Sequence, residues 1–246
     1  MDRILTVEQM TFCEHEAEKY GVSLAQLMDN AAAQLAEVIA SNSSASSKIV
    51  LLIGKGNNGG DGLVAANLLA EQGLKPAVAL CCGEPDTDLS SAAYARLDKS
   101  VEVLKAENAQ DYIEGADVLV DCIFGTGFHG SLRENILPVF RACEKCEGMK
   151  IACDLPSGVN ARNGQADKLS FKADVTVTFH RGKLGLYLQP AVDFCGEILV
   201  KDIGIDERCE NTLSPVITPF DVVKARSALP VSYTHLRAHE TRHDLV

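Results

Sequence analysis

Ile49-Val-Leu-Leu-Ile53 is an unbroken run of five apolar residues, followed at once by Gly54-Lys-Gly-Asn-Asn-Gly-Gly-Asp-Gly62. A half-solvated strand alternates apolar and polar residues; a continuous apolar run fits a strand covered on both faces, as in a parallel sheet. Ala77 to Leu80, Val101 to Leu104, Val118 to Val120, Met149 to Cys153 and Val175 to Phe179 read as further strands. Helical patterns separate most of them, including Leu63 to Gln72, which stops at Gly73, and Leu132 to Cys146. This alternation predicts a mostly parallel, doubly wound sheet. Two helices precede it. Thr6-Val-Glu-Gln9 reads as a capping box with Gly21 as the stop, and Ser23-Leu-Ala-Gln26 repeats the device. Leu24, Leu27, Met28, Ala31, Leu35 and Val38 then share one helical face, and Ser41 to Ser47 forms a polar linker. The expected class is α/β: a three-layer αβα sandwich with a mostly parallel central sheet and two N-terminal helices.

Composition narrows the function classes. Lys and Arg total 23 against 34 Asp and Glu in 246 residues, a formal charge of −11. That balance argues against a nucleic-acid binder, which needs a basic surface. No run of roughly 18 apolar residues offers a membrane span. The start, MDRILTVEQM, has neither a secretory h-region nor an arginine-rich, acid-poor leader, so the expected location is cytoplasmic. The nine cysteines are an odd number and scatter through strands and helices. Cys143-Glu-Lys-Cys146 has no partner pair elsewhere, so the expectation is reduced structural thiols.

Ligands on doubly wound sheets bind beyond the C-terminal ends of the strands. That rule directs attention to the loops after Ile53, Asp121 and Cys153. The first, Gly54 to Gly62, lacks both the P-loop pattern and the full G-x-G-x-x-G spacing. Its glycines and the following helix N-terminus suit a phosphate, and Asn57, Asn58 and Asp61 add specificity. The bland alternative is a tight turn with Asp61 as helix N-cap. The second, Asp121-Cys-Ile-Phe-Gly-Thr-Gly-Phe-His-Gly130, couples a strand-end acid to a second glycine turn. The third, Asp154-Leu-Pro-Ser-Gly158, sets another acid and a hydroxyl around a rigid proline. Plain turns with capping acids remain the alternative for each. Three acid- and glycine-bearing turns on one predicted edge point to one site.

GNNGGDG, DCIFGTGFHG and DLPSGVN in this order resemble the NAD(P)H-hydrate epimerase family, the YjeF N-terminal domain. The resemblance runs from about Leu5 to Ile205. It takes in Leu27-Met-Asp-Asn-Ala31, Phe179-His-Arg-Gly-Lys-Leu-Gly185 and Asp202-Ile-Gly-Ile205, with Ala32 where similar proteins carry glycine. It implies a Rossmann-like fold and a homodimer. It implies interconversion of the R and S forms of NADHX or NADPHX, the 6-hydrated nicotinamide cofactors, with functional coupling to an ADP- or ATP-dependent dehydratase. Carried over residue by residue, Asn57, Asn58, Gly59, Gly60 and Asp61, with Gly125, Thr126, Gly127, Phe128, His129, Gly130 and Ser131, would hold the substrate. Asp154 would contact it and is the expected catalytic acid–base. Asn58, Asp121 and Ser157 would bind a potassium ion, a set of amide, carboxylate and hydroxyl oxygens that suits that cation. Lys183 either faces the site or is a solvated surface lysine.

Two other functions compete with the epimerase. One is a catalytically silent module of the same type that binds RNA or protein, for which the intact Asn57, Asn58, Asp121, Asp154 and Ser157 would be superfluous. The other is a dinucleotide-dependent oxidoreductase, which the incomplete glycine spacing and the lack of an acid about 20 residues on disfavour. The reading divides the chain into an epimerase domain over 1–210, a bridge over 211–230 toward an absent dehydratase domain, and a non-native tail over 231–246. The tail, VSYTHLRAHETRHDLV, places His235, His239 and His243 on one face if helical. It resembles translated sequencing-adapter read-through, so a metal site there is not expected.

Overall fold

The computed structural model describes residues 3–215 together with 217 and 218. Most of the 211–230 bridge and all of the 231–246 tail, with its three histidines, lie outside the described residues. In chain order the elements are β1 (Ile4–Leu5), α1 (Val7–Ala17), α2 (Leu24–Ser41), β2 (Ile49–Ile53), α3 (Asn57–Glu71), β3 (Pro76–Leu80), α4 (Asp88–Ala95), β4 (Glu102–Lys105), α5 (Gln110–Glu114), β5 (Val118–Cys122), α6 (Leu137–Lys145), β6 (Met149–Cys153), β7 (Val175–Phe179), β8 (Gly182–Lys183), α7 (Val192–Cys195) and β9 (Glu197–Lys201).

The helix starts follow the sequence signals. The Thr6 hydroxyl accepts from the Gln9 N–H at 3.2 Å, and the Gln9 side chain accepts from the Thr6 N–H at 3.0 Å, a complete capping box. Ser23 accepts from the Gln26 N–H at 3.2 Å, without the reciprocal side-chain bond. Gly21 closes the first helical segment at φ 87°, in the left-handed region that glycine enters without penalty.

Seven strands form one sheet in the order β4-β3-β2-β5-β6-β7-β9, every pairing parallel. Leu51 stands opposite Val78 on one side and Val120 on the other. Successive residues of a strand face opposite ways. Leu51 and Ile53 accordingly join the apolar cluster that includes Leu27 and Leu35 of α2 and Leu63 and Leu69 of α3. Val50 and Leu52 join the opposite cluster, with Ile113 of α5 and Phe140 of α6. Both faces are covered, as the unbroken run of β2 requires. Each such buried aliphatic contributes about 1.5–3 kcal/mol.

The sheet grows one way through β3 and β4 and the other way through β5 and β6, so the direction of strand addition reverses between β2 and β5. A crevice opens at that switch point. Several expectations shift in detail. The helix expected from Leu63 begins six residues earlier, at Asn57, so the glycine loop is mostly helix. The helix expected over Leu132 to Cys146 is a 3-10 turn at Glu134–Ile136 followed by α6. The β9 strand was not anticipated; none of its residues is fully buried, and Glu197 and Val200 are exposed, as befits an edge.

Candidate functional site

A cavity of about 970 Å³ opens over the C-terminal ends of β2, β5 and β6, near the upper end of the roughly 300–1,000 Å³ typical of small-molecule sites. Met10 and Glu14 of α1 and Leu24, Leu27, Met28 and Ala31 of α2 form one wall. The part of α2's apolar face expected to be core thus serves the site as well.

The glycine motif builds this place by close packing. Gly56 is the N-cap of α3 and makes no side-chain capping bond, so Asp61 lies inside the helix and is not its cap. A Cβ at Gly54 would stand 1.9 Å from the Ile123 carbonyl oxygen, and one at Gly59 would stand 2.1 Å from the Gly54 carbonyl oxygen. Glycines inside a helix cost roughly 1 kcal/mol each. Here they let α3 start directly against the ends of β2 and β5. Asn57, Asn58 and Asp61 consequently line the cavity, while Gly59 and Gly60 are buried behind them. Asn57 Oδ1 accepts from the Thr87 hydroxyl at 2.6 Å. Asn58 Nδ2 is buried with no hydrogen-bond partner among the described residues.

The second turn supplies Gly125, Thr126, Gly127, Phe128, His129 and Ser131 to the wall, whereas Gly130, at φ 83°, is not among the lining residues. Phe124 and Phe128 stack with ring centroids 5.3 Å apart. Beneath this turn lies Asp121, fully buried within β5. It accepts from the Ser157 N–H at 2.6 Å, the Ser157 hydroxyl at 2.7 Å and the Ile123 N–H at 3.1 Å. Ser157 Oγ in turn accepts from the Phe124 N–H at 2.8 Å. One hydroxyl therefore ties the second and third turns together. Burial pushes the Asp121 carboxyl up to about 6, and the bonds from Ser157 and Ile123 oppose that rise.

Asp154 ends β6 in the left-handed region at φ 63°, which costs a non-glycine residue on the order of 1–3 kcal/mol. The reward is its aim into the cavity. Asp154 Oδ1 accepts from Lys183 Nζ at 2.5 Å and from the Thr178 hydroxyl at 3.0 Å. Oδ2 has no hydrogen-bond partner among the described residues. Lys183 is 1% exposed and also donates to Thr178 Oγ1 at 3.0 Å and to the Phe179 carbonyl at 2.9 Å. It is not the solvated surface lysine that its sequence position allowed. The β1–β8 pairing, Leu5 opposite Lys183, carries it inward.

Glu14 and Asp61 complete a cluster of three carboxylates around one lysine. Burial first, then the charges of Asp154 and Glu14, pushes Asp61 well above the usual carboxylate range, and Lys183 only partly opposes this. Burial also raises Glu14, with Lys183 lowering it and Asp154 raising it. Sequence reasoning missed Glu14, although it lies four residues after Met10 on the buried stripe of α1. A carboxylate in that stripe was the available signal. Thr178 was missed too; it is a fully buried hydroxyl on the same strand face as Thr176. Among the described residues, no group of three or more His, Cys, Asp or Glu side chains gathers into a metal cluster, and no helix is long and apolar enough to cross a membrane. All nine cysteines are unpaired, and eight are buried.

Comparison with known proteins identifies the family. The family model for the YjeF-related protein N-terminus matches residues 24–185. The NAD(P)H-hydrate epimerase of Nitrosopumilus maritimus is 34% identical over 213 residues, covering 84% of this chain and 98% of that protein. The bifunctional NAD(P)H-hydrate repair enzyme Nnr of Hyperthermus butylicus is 34% identical over 221 residues, covering 87% of this chain but 41% of its own length. The chain thus spans about two fifths of the bifunctional relative. The crystal structure of the yeast protein ynu0, YNL200c, superposes with a TM-score of 0.67 at 24% identity, over 74% of this chain and 82% of that one, and shares its fold. By sequence match, the chain belongs to the family of the YjeF-related protein N-terminus.

Proposed function

We propose that this protein is an NAD(P)H-hydrate epimerase that interconverts the R and S forms of NADHX or NADPHX. The observation that carries the reading is that Asp154 and its buried partner Lys183 line one cavity together with Asp61, Glu14 and both glycine turns. Inverting C6 of the hydrate needs a proton donor and a proton acceptor at one carbon, and no net change of atoms. Protonation of the C6 hydroxyl releases it as water and leaves a cation stabilised by the ring nitrogen. Water then returns to the other face and gives up a proton. Asp154, salt-bridged through Oδ1, offers its free Oδ2 as the acceptor. Asp61, whose burial favours the protonated acid, is the matching donor. Lys183 and Thr178 hold Asp154 in place.

Potassium belongs to the same proposal. Asn58, Asp121 and Ser157 would hold it, with backbone carbonyls completing the shell. Two features fit: the Asn58 amide has an orphaned buried end, and the buried Asp121 carboxylate is bonded only by neutral donors. An amide rotated end for end presents oxygen where nitrogen now stands. When bound, the ion supplies positive charge against a pyrophosphate in an acidic chain. A second copy of the chain and an ADP- or ATP-dependent dehydratase activity are the proposed partners.

The test is epimerisation of isolated R hydrate by purified protein, followed by NMR or a coupled dehydratase, in potassium and in choline salts. Turnover that rises with potassium is expected. Dinucleotide binding without turnover in either salt would replace the enzyme by a binding module.

A further inference from the structure

The cavity has two chemically opposite ends. The inner end holds Glu14, Asp61, Asp154 and Lys183. The outer wall carries Lys55, in the connection from β2 to α3, and Arg133, ahead of α6, both exposed. Half-buried Cys82, just past β3, lines the same cavity. Burial raises the Cys82 thiol, and Lys55 and then Arg133 pull it back. Two cations on separate loops thus line the same cavity as this thiol and act on it with the same sign.

Both cations are available for a ligand. Lys183 is the remaining lysine or arginine among the lining residues, and its charge is spent on Asp154. The Arg133 guanidinium has no acceptor among the described residues. Lys55 faces Asp86 at 3.8 Å with both side chains well exposed. Such a pair is worth about 0–1 kcal/mol and exchanges readily for a better anion. Gly56 and Asn57, the uncapped start of α3, line the same stretch and add unpaired backbone N–H groups.

We propose that Lys55 and Arg133 form the subsite for the diphosphate of the substrate, seated against Cys82. This deepens the epimerase reading and gives the ligand a direction: diphosphate at the outer wall, hydrated ring at Asp154. An arginine fork and a lysine point charge suit a diphosphate, whose charge the acidic chain otherwise repels.

Cys82 is the one cysteine of nine that is not buried, so its alkylation reports on this spot. The probe is ADP, a nucleoside diphosphate without the nicotinamide half. Native protein is treated with a maleimide, with and without ADP, and labelling is located by peptide mass. ADP is expected to slow Cys82 labelling at least fivefold and to lose this effect as salt rises. In K55M/R133M, with the melting temperature checked, ADP binding measured by calorimetry is expected to weaken at least tenfold and protection to disappear. No protection of the native protein, or equal ADP affinity in the double variant, overturns the proposal. Because ADP cannot be epimerised, these readouts are independent of turnover. An inactive protein that still shows them would refute the epimerase reading and leave the diphosphate subsite standing.

Discussion

Asp121 and Asp154 sit at the C-terminal ends of the adjacent parallel strands β5 and β6, and the fold treats them in opposite ways. Asp121 lies inside its strand, fully buried, and takes all its hydrogen bonds from neutral donors. Asp154 lies one residue past its strand, twisted to φ 63°, with a carboxylate oxygen toward the cavity and a lysine from the same chain bound to the other. One acid has a covalently supplied cation; the other has none. The backbone twist past the strand end is what brings the second acid into the cavity lining. An acid that stays in the pleat is directed at the neighbouring loop.

The largest effect that tests this contrast is on turnover. Asp154→Asn should cut epimerisation of isolated R hydrate by about 10²–10⁴-fold, the range for loss of a positioned acid–base. It also leaves the buried Lys183 charge without its partner, so the melting temperature should fall. Asp154→Asn with Lys183→Met removes that charge and should recover stability while turnover stays lost. A double variant that stays as unstable as the single one, or a single variant at the native rate, would break the assignment of Asp154.

Next comes the proton donor. Asp61 is pushed well up, chiefly by burial, so its carboxyl keeps a proton at pH values where an ordinary aspartate has lost it. A step needing that proton runs below the elevated pKa and fails as pH rises through it. The native rate should therefore decline on the alkaline side. Asp61→Asn should lower the rate by about a hundredfold and flatten that limb. A retained alkaline decline in the variant would move the donor role elsewhere, with Glu14 the next candidate.

Asp121→Asn should leave the cavity intact and act on stability. The new amide points its N–H groups at the Ser157 donors, which costs about 1–3 kcal/mol. If Asp121 helps hold potassium, native protein melts higher in potassium chloride than in choline chloride, and the variant melts equally in both. An equal melting temperature for the native protein in the two salts would count against the ion.

Much of this was legible in the sequence. The apolar run of β2 demanded cover on both faces, and the sheet is parallel throughout with helices on both sides. The three turns converge as the strand-end rule predicts. Other features were hidden because tertiary packing decides them. The glycines between Gly54 and Gly62 read as a ligand-cradling loop, yet Gly54 and Gly59 are required by backbone contacts that no local pattern encodes. Lys183 was ambiguous because its burial depends on β1 from the far N-terminus pairing with β8. Glu14 sat in a helical stripe that reads as core until a cavity is known to lie beside it.

The smallest effect concerns the hydroxyl that links the two acids' surroundings. Ser157 Oγ donates to Asp121 Oδ1 and accepts from the Phe124 N–H, and Phe124 stacks on Phe128 in the cavity wall. In Ser157→Ala the backbone bond from Ser157 to Asp121 Oδ2 survives, so the acid keeps two of its donors. What is lost is one hydrogen bond to the Asp121 carboxylate and one from the Phe124 N–H, about 2 kcal/mol in all and roughly 4–8 °C in melting temperature for a chain of this size. The turn at Phe124 loses its anchor while Asp154 and Lys183 are untouched. KM for the hydrate should then rise severalfold with kcat nearly native. A fall in kcat at unchanged KM would mean that Ser157 acts on the reacting atoms, and the division between a buried structural acid and a catalytic one would fail at that hydroxyl.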